Sequence, residues 1–223
     1  DVDRVSAGLT AFVTTRTADL GLYVAAGAAL AGGTGMALAD LPAAQGSWRH
    51  VAAAGIVVAA LGKAAQLPFS FWLSGAMKGP SPVSALLHSA AMVAMGGYLL
   101  LRVEPLLAST AWAGPLTAWV GVSTAVLMGI VALAQRELKQ LLAASTAAQL
   151  GFVVLAAGVG TVSGGAAHLV AHAWVKALLF LAAGAWLTAL GTEEFTKLRG
   201  VARRWPVVGV AASVAALALA GVA

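Results

Sequence analysis

Seven long apolar segments constrain the fold of this chain more than any other feature of its sequence. They lie at about 17–38, 50–77, 82–102, 114–135, 138–158, 164–190 and 206–223. About 20 helical residues cross the hydrocarbon core of a bilayer, so each segment is long enough, or nearly so, to span a membrane. Lipid offers the backbone no hydrogen-bond partners, and the sequence lacks the short alternating segments of a barrel. The sequence therefore predicts an all-α fold, a polytopic transmembrane bundle of about seven helices.

Composition agrees with a membrane protein. Of the 223 residues, 61% are hydrophobic and 9% are charged, so we expect one transmembrane domain over 1–223 and no soluble domain. The chain has no cysteine, which excludes disulfides and thiolate metal sites. It begins DVDRVSAG and stops inside an apolar run, so we expect a fragment of a longer protein. We expect an integral membrane protein of the bacterial cytoplasmic membrane. Nucleic acid is not expected as a partner.

The distribution of Lys and Arg predicts the orientation of the bundle. Basic residues accumulate in cytoplasmic loops, and seven crossings place successive loops on alternate sides. Nine of the 13 Lys and Arg residues fall on the side of the N-terminus, namely Arg4, Arg16, Lys78, Arg136, Lys139, Lys197, Arg199, Arg203 and Arg204. Only Arg49 and Arg102 fall opposite them. The N-terminus is therefore predicted to be cytoplasmic.

The two remaining basic residues, Lys63 and Lys176, each lie near the middle of an apolar segment. A lysine at that depth costs roughly 2.5 to 3.5 kcal/mol on insertion scales, so it usually has a function in moving ions or protons. Pro68 follows Lys63 within the second segment and cannot donate a hydrogen bond to the carbonyl of Ala64. A helix break is tolerated at this depth where it is buried in protein or lines a wet cavity. The pattern favours an ion site beside a broken helix, with a simple proline kink as the alternative.

A histidine stripe leads to the second lysine. His168, His172 and Lys176 recur at i, i+4 and i+8, so they form a row about 12 Å long on one helix face. Imidazole both donates and accepts protons near neutral pH, so the row can relay protons. A metal site, which would need a third ligand, and polar packing remain alternatives. His88, on the third segment, is either a core histidine or a bridge between the two lysines.

Other polar residues support these sites. Arg16 and Asp19 are spaced to form an ion pair, and Glu137 and Lys139 open the fifth helix, where a carboxylate suits the positive helix end. Further along that helix, three polar side chains either line a hydrated path or bond to their own helix, namely Ser145, Thr146 and Gln149.

Several motifs resemble the proton-conducting, antiporter-like membrane proteins. They are LGKAAQLPFSFWLSGAMKGPSPVSALLHSAAMV, RELKQLLAASTAAQLGF and HLVAHAWVKALLFLAAG, in this order. The family includes the large antiporter-like subunits of respiratory complex I, Mrp-type sodium/proton antiporters, membrane-bound hydrogenases and the membrane partner of inorganic-carbon uptake complexes. The resemblance runs from about residue 8 to the C-terminus, and the sequences of the motifs are most similar to those of the L-type complex I subunit.

The resemblance implies roles for particular residues. Lys63 matches the lysine of the first broken helix and Lys176 the central lysine, while His88, His168 and His172 match the family's histidines. It also implies two inverted five-helix repeats, with about 8–103 ending the first and about 114–223 forming most of the second. The family glutamate that pairs with the first lysine lies upstream of this chain, and the lysine of the second broken helix lies beyond it. Departures from the common pattern stand at Ser74, Gly75, Arg136, Glu137 and Gln140.

These observations predict proton translocation as a subunit of an NADH:quinone oxidoreductase-type complex, with other membrane subunits, lipid and protons as partners. An energy source must lie elsewhere, because the chain shows no nucleotide, flavin or iron-sulfur motif, and no cofactor or metal is expected. Alternatives are an Mrp-type sodium/proton antiporter subunit, the membrane partner of a carbon-uptake complex, and a catalytically silent membrane scaffold.

Overall fold

The computed structural model describes residues 2–89 and 91–222, which are almost entirely helical. The helices are α1 (Val2–Ala31), α2 (Trp48–Lys63), α3 (Phe71–Ala76), α4 (Ser81–Ser89), α5 (Met92–Arg102), α6 (Glu104–Ala108), α7 (Ala113–Leu133), α8 (Leu138–Gly158), α9 (Val162–Leu190), α10 (Val201–Arg204) and α11 (Pro206–Leu219). A 3₁₀ turn covers Leu41–Ala43. Within the described ranges no strand forms, and a single isolated bridge joins Glu137 to Glu194. The predicted all-α fold class is confirmed.

All seven predicted segments coincide with helix, but the bounds of the first were wrong. α1 begins at Val2, well before position 17, and ends at Ala31, before position 38. It ends there because Gly33 takes a left-handed conformation (φ 73°) and the N–H of Thr34 donates back to the carbonyl of Ala29. This arrangement closes the C-terminal turn of a helix.

Four helical stretches of the described chain are long and apolar enough to cross a membrane. They are Ser81–Arg102, Ala113–Leu133, Leu138–Gly158 and Val162–Leu190. Pro206–Leu219 is apolar but shorter, and α2 has only 16 residues before its break. The chain is an integral membrane protein, while seven crossings stay a prediction.

Helix α8 forms the centre of the bundle. It packs against α7, α9, α5 and α3, while α1 packs mainly against α2, and α4 and α11 pack against α9. Two apolar clusters meet along α8: one includes Ile56, Trp72 and Leu150, and the other includes Leu142 and Phe180. A side chain on α8 can therefore contact groups from both ends of the chain.

Paired glycines allow two helix crossings to be very close. A Cβ at Gly21 of α1 would collide with the carbonyl oxygen of Gly55 of α2. A Cβ at Gly121 of α7 would lie 2.6 Å from the carbonyl oxygen of Gly151 of α8. Small residues permit this backbone approach, which is common between membrane helices.

Candidate functional site

The predicted helix break lies immediately after Lys63. Residues 64–70 separate α2 from α3, and this segment contains Pro68, whose peptide bond with Leu67 is cis. Ala65 takes a left-handed conformation (φ 50°), and the N–H of Gln66 donates 3.0 Å to the carbonyl of Leu61. The left-handed residue with the backward bond is the geometry that terminates a helix. The indole N–H of Trp72 donates 3.1 Å to the carbonyl of Gly62, so a further free carbonyl at the helix end is satisfied.

Asp19 of α1 is the acidic partner of Lys63. The Lys63 Nζ lies 2.9 Å from Oδ1 and 3.0 Å from Oδ2 of Asp19. Arg16 also contacts this carboxylate, with 3.3 Å between Nη1 and Oδ2, so the predicted Arg16–Asp19 pair is present. From the sequence, Arg16 was the expected partner of Asp19, and a glutamate upstream of this chain was the expected partner of Lys63. In the structure, Asp19 is shared by both cations.

Lys176 has a different environment. Its side chain is fully buried in α9, and Nζ donates 3.0 Å to the carbonyl of Leu142 and also to the hydroxyl of Ser145, both on α8. Among the described residues, no carboxylate forms an ion pair with Lys176. Its acceptors are therefore a carbonyl and a hydroxyl, which are neutral.

Two of the predicted histidines lie on α9, the helix of Lys176, and the third lies on α4, which packs against α9. His172 Nε2 is 3.3 Å from the backbone carbonyl of His88, and His168 Nε2 is 3.2 Å from that of Gln149. His88 is fully buried, its ring stacks at 4.6 Å on Phe180, and neither ring nitrogen has a hydrogen-bond partner in the described chain. The structure therefore brings His88, His168, His172 and Lys176 together between α4, α8 and α9. No hydrogen bond joins Lys63 to this group within the described ranges.

A cavity reaches the histidine stripe. It has a volume of about 660 Å³ and lies between α8, α9 and the end of α11. Its lining includes Gln149, Thr161, His168 and His172. A cavity of this size with polar groups holds many water molecules. The two imidazoles therefore face a space that has room for water.

The polar residues of α8 were expected either to line a hydrated path or to bond to their own helix, and they differ in this respect. Ser145 donates 3.1 Å to the carbonyl of Leu142 and also accepts from Lys176. Thr146 is fully buried and donates 2.8 Å to the carbonyl of Leu142, so it bonds only to its own helix. Gln149 lines the cavity, and its side-chain amide donates 3.4 Å to the carbonyl of Leu219.

Lys139 is more deeply placed than the sequence suggested. It is 3% exposed, and its Nζ donates 2.9 Å to the carbonyls of Met77 and Gly79, just past the end of α3. Glu193 Oε1 lies 3.4 Å from the same Nζ. Glu137 stands at the N-cap of α8 but makes no side-chain capping bond. In the sequence, this cluster is indicated by a lysine at the second position of an apolar helix.

Two of the departures from the family pattern contact each other. The hydroxyl of Ser74 on α3 donates 2.8 Å to Oε1 of Gln140 on α8, and Nε2 of Gln140 is 3.3 Å from the carbonyl of Ser74. The two residues therefore form a reciprocal link between α3 and α8. In the described ranges no group of three or more His, Asp and Glu side chains is arranged to hold a metal ion.

Comparison with known proteins agrees with the motifs. A family model described as "NADH:quinone oxidoreductase/Mrp antiporter, TM" matches residues 1–222. NADH-quinone oxidoreductase subunit L of Pseudomonas aeruginosa is 42% identical over 174 residues, which are 78% of this chain and 28% of that protein. The chain spans about a quarter of the length of the curated relatives it matches.

Solved structures give the same result. A chain of the Mrp complex from Dietzia sp. DQ12-45-1b is 37% identical, with a TM-score of 0.77 over 83% of this chain and 22% of that one. A chain of respiratory complex I from Thermus thermophilus with bound NADH is 28% identical, with a TM-score of 0.86 over 96% of this chain and 48% of that one. The resemblance drawn from the motifs is confirmed, and this chain belongs to the transmembrane family of NADH:quinone oxidoreductase and Mrp antiporter subunits.

Proposed function

We propose that this chain is part of a subunit that moves protons across a membrane within an NADH:quinone oxidoreductase-type complex. The observation that carries the proposal is Lys176, which is fully buried and, among the described residues, is bound by a carbonyl and a hydroxyl and by no carboxylate. An amine held by neutral groups suits a site that takes up and releases a proton. A buried ionisable group in a membrane protein usually serves such a pathway.

Lys63 and Asp19 form the second proton-exchanging site in this proposal. A carboxylate lies 2.9 Å from the amine of Lys63, whereas the groups that bind Lys176 are neutral. Arg16 contacts the same carboxylate. One lysine with a charged partner and one with neutral partners would provide two different sites for directed transfer.

The histidine stripe connects Lys176 to water. His168 and His172 both line the cavity of about 660 Å³, and His172 is the neighbour of Lys176 one turn along α9. His88 would bridge toward Lys63, since its ring nitrogens have no partner in the described chain and so are available to exchange a proton. Imidazole suits this relay because it has two ring nitrogens, one of which can accept a proton while the other donates one.

The larger organisation is also part of the proposal. Residues of about 8–103 and 114–223 would form the end of one inverted repeat and most of a second, with the N-terminus on the cytoplasmic side of a bacterial membrane. The partition of nine basic residues against two supports this orientation. Partners would be the other membrane subunits of the complex, because the solved structures similar to this chain are multi-subunit assemblies.

An Mrp-type antiporter is the second candidate. The 37% identity to a chain of the Mrp complex from Dietzia supports it. In such a complex, sodium flux would depend on this protein, whereas in a respiratory complex proton movement would depend on electron transfer. A silent scaffold is less well supported, because Lys63 is paired with a carboxylate and Lys176 binds two polar groups of α8.

The test replaces Lys176 with Ala in the full-length protein within its complex, reconstituted in vesicles that contain a pH-sensitive dye. We expect coupled proton movement to be lost. Lys78→Ala is the matched control, because Lys78 is an exposed lysine in the turn between α3 and α4, and this variant should transport normally. Unchanged transport in Lys176→Ala would overturn the assignment.

A further inference from the structure

Gln66 is a buried polar residue for which the proton path described above has no role. It lies in the break between α2 and α3 and is fully buried. Its Nε2 donates 2.9 Å to the carbonyl of Ala64 and 3.2 Å to the carbonyl of Ala147. The first carbonyl belongs to the residue that follows Lys63, and the second belongs to α8.

The orientation of this amide is determined by its neighbours. Both groups that face it are backbone carbonyl oxygens, which accept hydrogen bonds and cannot donate them. The nitrogen, with two N–H groups, must therefore point toward them, and both of its donors are used. An apolar side chain at this position would remove the donor to the carbonyl of Ala64 and the side-chain bond to the carbonyl of Ala147.

One of these carbonyls is free because of Pro68. In a continuous helix the carbonyl of Ala64 would accept the N–H of residue 68, and proline has no N–H to give. Gln66 supplies the missing donor from within the break. The same side chain thereby couples the geometry of the break, which begins beside Lys63, to an atom of another helix.

The other carbonyl lies close to the binding site of Lys176. Ala147 stands two residues beyond Ser145 on α8, and Ser145 accepts a hydrogen bond from Lys176. Leu142, one turn before Thr146, provides the other acceptor of Lys176. Gln66 is thus one polar side chain that binds both the segment after Lys63 and the stretch of α8 that holds Lys176.

We propose that Gln66 is a positioning residue that mechanically couples the Lys63–Asp19 site to the Lys176 site, by tying the α2–α3 break to the Lys176-binding stretch of α8. This inference rests on the proposed function, in which the two lysines act together. When the pairing of Lys63 with Asp19 changes, the end of α2 and the break shift, and the amide transmits the shift to Ala147 and its neighbours.

The experiment measures hydrogen exchange at backbone amides 142–149 of α8 in the full-length protein within its complex. Asp19→Asn serves as the trigger, because it removes the charge that holds Lys63. With Gln66 present, we expect the trigger to change exchange in this stretch by about fivefold or more, as is typical of coupled sites. In a Gln66→Met background, which keeps the length of the side chain and removes both donors, the response should be lost.

Thr124→Val is the matched control. The hydroxyl of Thr124 on α7 accepts 3.1 Å from the N–H of Leu67, so it is the other side-chain tie from the break to a neighbouring helix in the described chain. The response to Asp19→Asn should survive this change, because the tie leads to α7 and not to α8. Gln66→Glu gives a second variant of nearly the same size, with at most one donor, and its response should be reduced.

Three results would overturn the proposal: a full response in Gln66→Met or Gln66→Glu, an equal loss of response in Thr124→Val, or no response in the protein with Gln66 present. Hydrogen exchange is measured without proton transport. A failure here therefore leaves the outcome of the Lys176→Ala transport assay untouched, and a failure of that assay leaves this coupling measurable.

Discussion

At the scale of single residues, Lys63 and Lys176 differ in what holds them. Lys63 has the carboxylate of Asp19 at 2.9 Å, and Asp19 is shared with Arg16. In the part of the chain that the structure describes, Lys176 has the carbonyl of Leu142 and the hydroxyl of Ser145 and no carboxylate. Each arrangement satisfies the hydrogen bonds of an amine, but only the first compensates its charge. This difference is the physical basis for assigning the two lysines different parts in proton transfer.

Replacing Asp19 with Asn tests the first arrangement. The change keeps the shape of the side chain and removes the charge, so Lys63 and Arg16 lose their shared partner. We expect the initial rate of proton translocation in reconstituted vesicles to fall sharply. Asp40→Asn, at an exposed acid between α1 and α2, should leave the rate unchanged. Transport by Asp19→Asn at the normal rate would contradict the role of the pair.

Replacing Ser145 with Ala tests the second arrangement. Lys176 would lose one of its two acceptors, and a hydrogen bond to a charged group contributes about 1.5–3 kcal/mol. We expect slower proton movement and a lower unfolding temperature in detergent. Ser213→Ala is the control, because its hydroxyl bonds only to the carbonyl of Gly209 in its own helix. Equal effects of the two changes would argue against a specific bond to Lys176.

The sequence predicted the residues better than their contacts. Lys63, Lys176 and the histidine stripe could be found from charge at membrane depth and from helical spacing. The bond from Lys63 to Asp19 could not, because the two are 44 positions apart and meet only when α1 packs on α2. The contacts of Lys139 could not be predicted for the same reason, since the carbonyls it binds lie about 60 positions away.

At the scale of elements, local signals account for most helix ends. The break beside Pro68 and the bounds of α7, α8 and α9 agree with the predicted segments to within about two residues. The start of α1 differs from the predicted segment. The first turns of α1 carry polar and charged residues, which are compatible with helix but were interpreted as a region flanking it. Hydropathy reports the membrane-spanning part of a helix and not its full length.

Helix packing gives a prediction on α7, where two glycines have different surroundings. Gly121→Ala would press a Cβ against α8, at 2.6 Å from the carbonyl oxygen of Gly151, and overpacking of this kind costs about 1–3 kcal/mol. Gly129→Ala meets no atom within 4 Å and should be neutral or slightly stabilising. Thermal unfolding in detergent measures both. A stable Gly121→Ala variant would contradict the close crossing.

At the scale of the whole molecule, α8 joins the two lysine sites. It packs against α3 on one side and α9 on the other, and it runs through both apolar clusters. The side chain of Gln66 contacts α8, and Lys139 extends from α8 to the carbonyl of Met77. Lys176 donates a hydrogen bond to α8. The sequence could not predict this central position, because all of its long segments are similarly apolar.

Topology is a prediction at the same scale. This chain has no cysteine, so single cysteines can be introduced at exposed positions and labelled with a membrane-impermeant thiol reagent. Lys78→Cys should be labelled only from the cytoplasmic side, and Ser47→Cys only from the opposite side. The reverse pattern would invert the orientation, and labelling of both from one side would contradict an odd number of crossings between them.

We infer that Lys176 exchanges a proton and does not merely hold a positive charge. The most direct measurement is coupled proton translocation by Lys176→Arg in the reconstituted complex, with binding of the subunit checked in the same preparation. Arginine keeps the charge and the donors but does not deprotonate in proteins. We expect an assembled complex that has lost coupled proton movement. Normal translocation by Lys176→Arg would contradict it.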